Sequence, residues 1–245
     1  MIRVHDLWKA FGRRQAVAGV SFEAQDGRIT GILGPNGAGK TTTLRMLYTL
    51  LQPDRGSVEI DGIDAAENPL EVRRRLGVLP DARGLYQRLT ARENIEYFGR
   101  LQGLDEATLR QRTDRWIREL GMESIAGRRT LGFSQGERVK TALARAMVHE
   151  PRNVVLDEPG NGLDVMTLRG LRDTLRRLRD DGRCVLLSTH IMQEVAALCE
   201  HIVIISEGRV VAAGDADALR ERAGEENLED AFVRIISASA LGAAS

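Results

Sequence analysis

The stretch Gly34-Pro35-Asn36-Gly37-Ala38-Gly39-Lys40-Thr41 fits G-x-x-x-x-G-K-[ST] at every fixed position. The apolar run Ile29–Leu33 comes immediately before it and predicts a strand, and residues 41–51 after it predict a helix. A loop between a strand end and a helix start turns successive backbone N–H groups inward and adds the positive end of the helix dipole, about half a charge. Such a loop holds phosphates. Lys40 can then reach the β- and γ-phosphates of a nucleoside triphosphate, and the Thr41 hydroxyl can ligate Mg²⁺. The glycines matter because a side chain would hold the backbone off the phosphates or forbid the turn.

Outward from this loop, the first part of the chain consists of short strands over residues 3–7, 17–24 and 57–60. Asp26-Gly27, Asp54-Arg55-Gly56 and Asp61-Gly62 supply the turns between them. From about residue 90 to 150 the texture changes to charge-rich segments with apolar positions at helical spacing: Ile95, Phe98, Leu101, then Leu109, Trp116, Ile117, Leu120. Beyond Pro151, strand–helix alternation returns, with strands over 154–156, 184–188 and 202–206 and helices over 165–179 and 192–200. Strands separated by helices form a parallel sheet with helices packed on its faces. The expected architecture is an α/β core interrupted by a helical insert. Residues 238–245 are small and polar and are expected to fray.

Composition narrows the function. Among 245 residues, lysine plus arginine equals aspartate plus glutamate at 35 each. Zero net charge argues against bulk nucleic-acid binding, which needs a basic excess to displace counterions. The triplet Arg73-Arg74-Arg75 is read as a solvated helix face. No run approaches the roughly 20 apolar residues that span a bilayer, and the N-terminus lacks a signal-peptide layout. Cys184 and Cys199 are read as small buried hydrophobes, and the chain as cytoplasmic and reduced.

A second set of residues completes a nucleotide site. Asn153-Val154-Val155-Leu156-Asp157-Glu158-Pro159 is an apolar strand that ends in adjacent carboxylates. Neighbours on a strand point to opposite sides, but a bend at the strand end lets both face the phosphates. Asp157 would hold Mg²⁺, and Glu158 would polarise the attacking water as general base. His190 ends the run Cys184-Val185-Leu186-Leu187-Ser188-Thr189, at the ligand edge of a parallel sheet, where its imidazole can bond the γ-phosphate or orient Glu158. His5, His149 and His201 lack such placement and are assigned structural roles. Ser134-Gln135-Gly136-Glu137 opens a helix reaching about residue 149 and forms a capping box, Ser-x-x-Glu. An exposed, capped helix start can also meet a phosphate, here one held by a second subunit.

This order of motifs resembles the ATP-binding cassette of ABC transporters, over about residues 2–214. The segments Leu79-Pro80-Asp81-Ala82-Arg83-Gly84-Leu85-Tyr86, Thr90-Ala91-Arg92-Glu93-Asn94 and His190-Ile191-Met192-Gln193-Glu194-Val195 resemble the NatA-type sodium-exporter group, related to the ATPases of ABC-2-type exporters. The resemblance implies a P-loop NTPase core with a mainly parallel sheet, an N-terminal antiparallel β part and a helical insert. Its cassette would span residues 1–220, with the core over 1–80 and 151–214 and the insert over about 81–150, followed by a C-terminal helix and tail over 221–245. Phe11 would stack on adenine. Gly34, Pro35, Asn36, Gly37, Ala38, Gly39, Lys40, Thr41 and Thr42 would form the Walker A cradle for ATP. Asp157 and Glu158 match Walker B and the catalytic glutamate, Ser134 and Gly136 the signature motif, Asn161-Gly162-Leu163-Asp164 the D-loop, and His190 the switch histidine.

Three departures stand out. Asp81 replaces the glutamine usually presented to Mg²⁺ and water; a carboxylate still ligates the metal, so the metal set would be Thr41, Asp81 and Asp157. Gln135 and Glu137 alter the signature, and Glu137 brings a negative charge toward a facing nucleotide. Gly160 replaces the usual threonine or serine, a change of minor consequence from sequence alone. The resemblance implies an ATPase motor that closes on ATP as a homodimer and drives a separate membrane permease, peripheral on the inner face of the membrane. The first expected cargo is sodium, with a drug, lipid or polysaccharide as alternatives. The permease's cytoplasmic helix is expected to dock over residues 81–97. A soluble ABC protein of DNA repair, translation or cluster assembly fits less well, because the chain has one cassette and an insert of about sixty residues. An ATP-binding protein without turnover is disfavoured by the joint presence of Glu158 and His190.

Overall fold

Period-two burial at the N-terminus produces a hairpin of β1 (Ile2–Phe11) and β2 (Arg14–Ala24), each turning one face inward. The protein's structure, a computed structural model, describes residues 1–81 and 84–242. β3 (Ile29–Leu33) is buried at every position and leads through the glycine loop into α1 (Lys40–Leu47). β4 (Arg55–Ile60) and β5 (Ile63–Asp64) join the hairpin as a four-stranded antiparallel sheet, ordered β2-β1-β4-β5. α2 (Pro69–Arg75) ends in the arginine triplet and runs straight into β6 (Leu76–Leu79).

Three helices follow: α3 (Ala91–Leu101), α4 (Glu106–Glu119) and α5 (Gln135–Met147). Each starts on a side-chain cap that the sequence spells out, Thr90, Asp105 and Ser134 in turn. The chain then alternates through β7 (Asn153–Asp157), α6 (Val165–Asp180), β8 (Cys184–Thr189), α7 (Met192–Leu198) and β9 (His201–Ser206). It closes with β10 (Arg209–Gly214), α8 (Ala216–Ala223) and α9 (Leu228–Gly242). The second sheet has six strands in the order β10-β9-β3-β8-β7-β6, parallel except for β10. The α/β class with an antiparallel sheet beside a mainly parallel one is therefore as expected.

Alternation along β7 divides the core. Val154 and Leu156 face α3–α6 with Ile95, Trp116, Leu143 and Leu175, while Val155 faces the antiparallel sheet and α1 with Val20, Leu44 and Ile60. Each such fully buried aliphatic side chain contributes roughly 1.5–3 kcal/mol. The strand that ends in Asp157 is thus clamped from both sides.

Several boundaries differ from the sequence reading. α1 stops at Leu47 rather than at residue 51, with Tyr48 as its C-cap and Thr49 at φ 61. β6 went unread because four residues after an arginine run carry too little pattern to register. The expected fraying from residue 238 is corrected by α9, which continues to Gly242; Ala231 and Ile235 pack against β9 and α8, and alanine favours helix. Residues 243–245 lie outside the described residues, as do Ala82 and Arg83 of the Asp81 segment.

Asn94 is fully buried and staples the loop before α3 to the helix. Its Oδ1 accepts from Tyr86 N at 2.9 Å, and its Nδ2 donates to Tyr86 O at 3.1 Å and Thr90 O at 2.9 Å. Removing it strands buried backbone groups. Asn94→Ala should therefore lower stability by about 2 kcal/mol, read as a drop in the denaturant midpoint.

Candidate active site

The loop after β3 is shaped by close backbone approach. A Cβ on Gly34 would run into the carbonyl oxygen of Ile205, and Gly39, at φ 107, would bring one to 2.5 Å from Ala16 O. Only glycine suits both constraints. Lys40, 6% exposed, bends back over the loop and donates to Gly34 O at 2.6 Å and Pro35 O at 3.2 Å. Its Nζ also lies 3.6 Å from Glu158 Oε1.

Parallel pairing brings the carboxylates to this lysine. Asp157 ends β7 opposite Ser188 of β8, whose Oγ donates to Asp157 Oδ1 at 2.5 Å. Thr41 Oγ1 donates to the same oxygen at 3.3 Å. Glu158, the next residue, adopts φ 49, a left-handed conformation costly for a side chain of this size. Its N–H is satisfied by Ser188 O at 3.1 Å and Ser188 Oγ at 3.2 Å. This bend turns Glu158 into the cleft while Asp157 stays buried behind it. Glu158 Oε2 then meets His190 Nδ1 at 2.8 Å. A carboxylate only accepts, so Nδ1 donates and Nε2 remains on the other side of the ring.

Most of the expected residues meet in one cleft of about 680 Å³. It is lined by Asn36 to Thr42, by Phe11, and by Asp81, Glu158 and His190. Phe11 is half exposed, as a stacking platform must be. Asp157 is not among the lining residues. Burial pushes its carboxyl above the usual carboxylate range, opposed by the Ser188 and Thr41 hydroxyls and reinforced by the charges of Asp81 and Glu158. A hydroxyl and two carboxylates around one cleft form an oxygen donor set suited to a hard divalent cation, so Thr41, Asp157 and Asp81 fit Mg²⁺.

Ser134 and Gly136 do not line this cleft. Ser134 closes the capping box, accepting from Glu137 N at 3.2 Å while its own N–H donates to Glu137 Oε2 at 2.8 Å. Glu137 is also paired with Arg128 at 2.8 Å, so the charge noted in the sequence is matched within its own chain. The Ser134 N–H, then Arg128, holds the Glu137 carboxyl below the usual range. Ser188, buried beneath the cleft, has no role assigned from the sequence; it holds both Asp157 and Glu158, and its signal is its place in β8, two residues before His190. Asn161 lines the cleft and accepts from Gln135 Nε2 at 3.3 Å, linking it to the Ser134 helix.

A P-loop between β3 and α1, with carboxylates at the end of a parallel strand one removed from β3 across β8, defines a nucleoside triphosphatase. Comparison with known proteins narrows this class. The family described as ABC transporter matches residues 17–161. The chain is 42% identical to the ABC transporter ATP-binding protein NatA of Bacillus subtilis (strain 168), over 95% of this chain and 97% of that protein. It is 36% identical to the daunorubicin resistance ATP-binding protein DrrA3 of Streptomyces coeruleorubidus, over 99% of this chain and 76% of the relative. A dimeric ATP-binding cassette solved in a post-hydrolysis state with ADP and Pi superposes with a TM-score of 0.80 at 25% identity, covering 88% of this chain and 98% of that one. The chain belongs to the ABC transporter family and is an ATP-hydrolysing cassette.

Lys40→Ala removes the ammonium that bonds Gly34 O and Pro35 O of the loop, while the strand and helix flanking it remain. Equilibrium binding of a fluorescent ATP analogue should weaken at least about tenfold, a loss of roughly 1.4 kcal/mol or more.

Proposed function

We propose that this cassette is the motor subunit of an ABC exporter, closing on ATP with a second copy of itself and driving a separate membrane permease. The observation that carries the catalytic part is the Lys40–Glu158–His190 cluster against the P-loop, held at 3.6 and 2.8 Å. Phe11 stacks on adenine, residues 34–42 cradle the phosphates, and Lys40 offsets charge on the γ-phosphate. Thr41, Asp157 and Asp81 would hold Mg²⁺, which when bound neutralises developing phosphate charge. Glu158 takes a proton from the attacking water while the bond between the γ-phosphorus and the bridging oxygen breaks. His190 keeps Glu158 oriented and presents its other ring nitrogen toward the γ-phosphate.

Closure with a second copy is supported by the Ser134 helix start, which is capped, exposed and outside its own cleft. Exposed apolar Leu131, Val165 and Met166 flank that helix start and the D-loop, a composition suited to a contact face. In the closed pair, Ser134 and Gly136 meet the nucleotide bound by the other copy. Glu158→Gln should keep ATP affinity but cut turnover by about a hundredfold or more, and should shift the protein to dimer in ATP on size exclusion. Turnover at the normal rate would remove Glu158 from the general-base role.

Among the described residues no helix is long and apolar enough to cross a membrane; the permease is proposed from the similarity to ATP-binding subunits of transporters. A groove of about 390 Å³ between the parallel sheet and α3 is lined by Val78, Pro80, Phe98 and Gln102, with Arg145 stacked 4.5 Å from the Phe98 ring. Its apolar lining suits one face of an amphipathic helix, and the cytoplasmic helix of the permease docks there, near the expected 81–97 segment. The cassette is then peripheral on the inner face of the membrane. Phe98→Asp should abolish co-purification with the permease while ATP binding survives.

Sodium is the first cargo to test, on the strength of the similarity to the NatA-type group. The drug-resistance relative makes drug export the second reading. Everted vesicles carrying the cassette and its permease should accumulate ²²Na⁺ on ATP addition; accumulation of an anthracycline instead would favour the second.

A further inference from the structure

Glu194 is a carboxylate buried to 3% exposure that the chemistry described above does not use. It lies in the first turn of α7, four residues after His190. Its Oε2 accepts from Thr189 Oγ1 at 2.8 Å, and Thr189 Oγ1 in turn accepts from Ile191 N at 3.0 Å. These two bonds bracket His190. The other oxygen, Oε1, is buried with no hydrogen-bond partner among the described residues and faces Gly160. A Cβ at residue 160 would fall inside the contact radius of Oε1 and 2.7 Å from Glu194 Cδ.

One carboxylate therefore stands behind both turns of the site. One oxygen grips the turn that carries His190, and the other fills space against Glu158-Pro159-Gly160 that a threonine or serine at 160 would claim. Burial holds the Glu194 carboxyl above the usual range, so its placement costs free energy that its hydrogen bond only partly offsets. Glu158 is held in a left-handed conformation and His190 is partly exposed, so neither side chain fixes the 2.8 Å contact by itself.

We propose that Glu194 is a positioning residue for ATP hydrolysis, holding the His190 turn through Thr189 and packing against the Glu158 turn in the space that Gly160 leaves open. The proposal rests on the catalytic reading of Glu158 and His190. Gly160 then has a specific consequence: it leaves room for the carboxylate, and a Cβ there would force Glu194 Oε1 to shift.

The test is steady-state ATP hydrolysis by Gly160→Ala, Glu194→Ala, Glu194→Gln and the Gly160→Ala/Glu194→Ala pair, with Glu158→Gln as reference. Each alanine variant should lower kcat about tenfold or more with KM for ATP within about twofold, since the phosphate cradle is untouched and only alignment suffers. Glu194→Gln keeps an acceptor for Thr189 and should recover most of kcat. The pair should be no slower than Glu194→Ala alone, because Gly160→Ala acts only by displacing that carboxylate. Effects that multiply, or wild-type kcat in Glu194→Ala, would overturn the proposal. If Glu194→Ala does not fold, Thr189→Val removes the donor instead; the same kcat loss supports the proposal and wild-type kcat overturns it. Full turnover by Glu158→Gln would sink the underlying catalytic reading, whereas inactive Glu158→Gln with wild-type Glu194→Ala would sink the positioning role alone.

Discussion

The parallel register of β3, β8 and β7 is the constraint on which the site depends. Leu33 pairs with Thr189, and Asp157 pairs with Ser188, so three strands end within a residue of one another along one edge. Everything with chemistry leaves the sheet at that edge: the glycine loop after Leu33, Glu158 after Asp157, and His190 after Thr189. A slip of one residue would turn Asp157 into the core and remove Ser188 from beneath it. The register is enforced from both faces, because alternate residues of β7 are buried in different clusters.

That edge concentrates unfavourable arrangements that the surrounding fold maintains. Glu158 occupies a left-handed conformation, Asp157 is nearly inaccessible, and Glu194 carries a carboxylate oxygen with no hydrogen-bond partner among the described residues. Each costs free energy in isolation. The buried aliphatic residues on both faces offset these costs. Preorganisation of this kind is what aligned phosphoryl transfer requires, since little covalent chemistry falls to the protein itself.

Much of the molecule was legible because its signals are local. The strand before the glycine loop, the capped start of α5, and the strand–helix alternation after Pro151 all follow from spacing and end chemistry within a few residues. The signature departure at Glu137 was visible as well, but its meaning was not. Arg128 lies nine residues away across a turn, and only the folded loop shows that the charge is matched. The closeness of Gly160 to Glu194 was not visible either, because the two lie far apart along the chain.

The sequence by itself determined that a phosphate-binding loop opens a helix, that an acidic pair ends a buried strand, and that a histidine ends another. Those facts depend on periodicity, turn chemistry and caps, which act between near neighbours. Tertiary structure decided which of these ends meet. Ser188 beneath Asp157 and Glu158, Glu194 against Gly160, and Lys40 beside Glu158 join residues thirty or more positions apart. Their contact is set by strand register and by packing on both sheet faces, and neither is written in any short stretch of the chain.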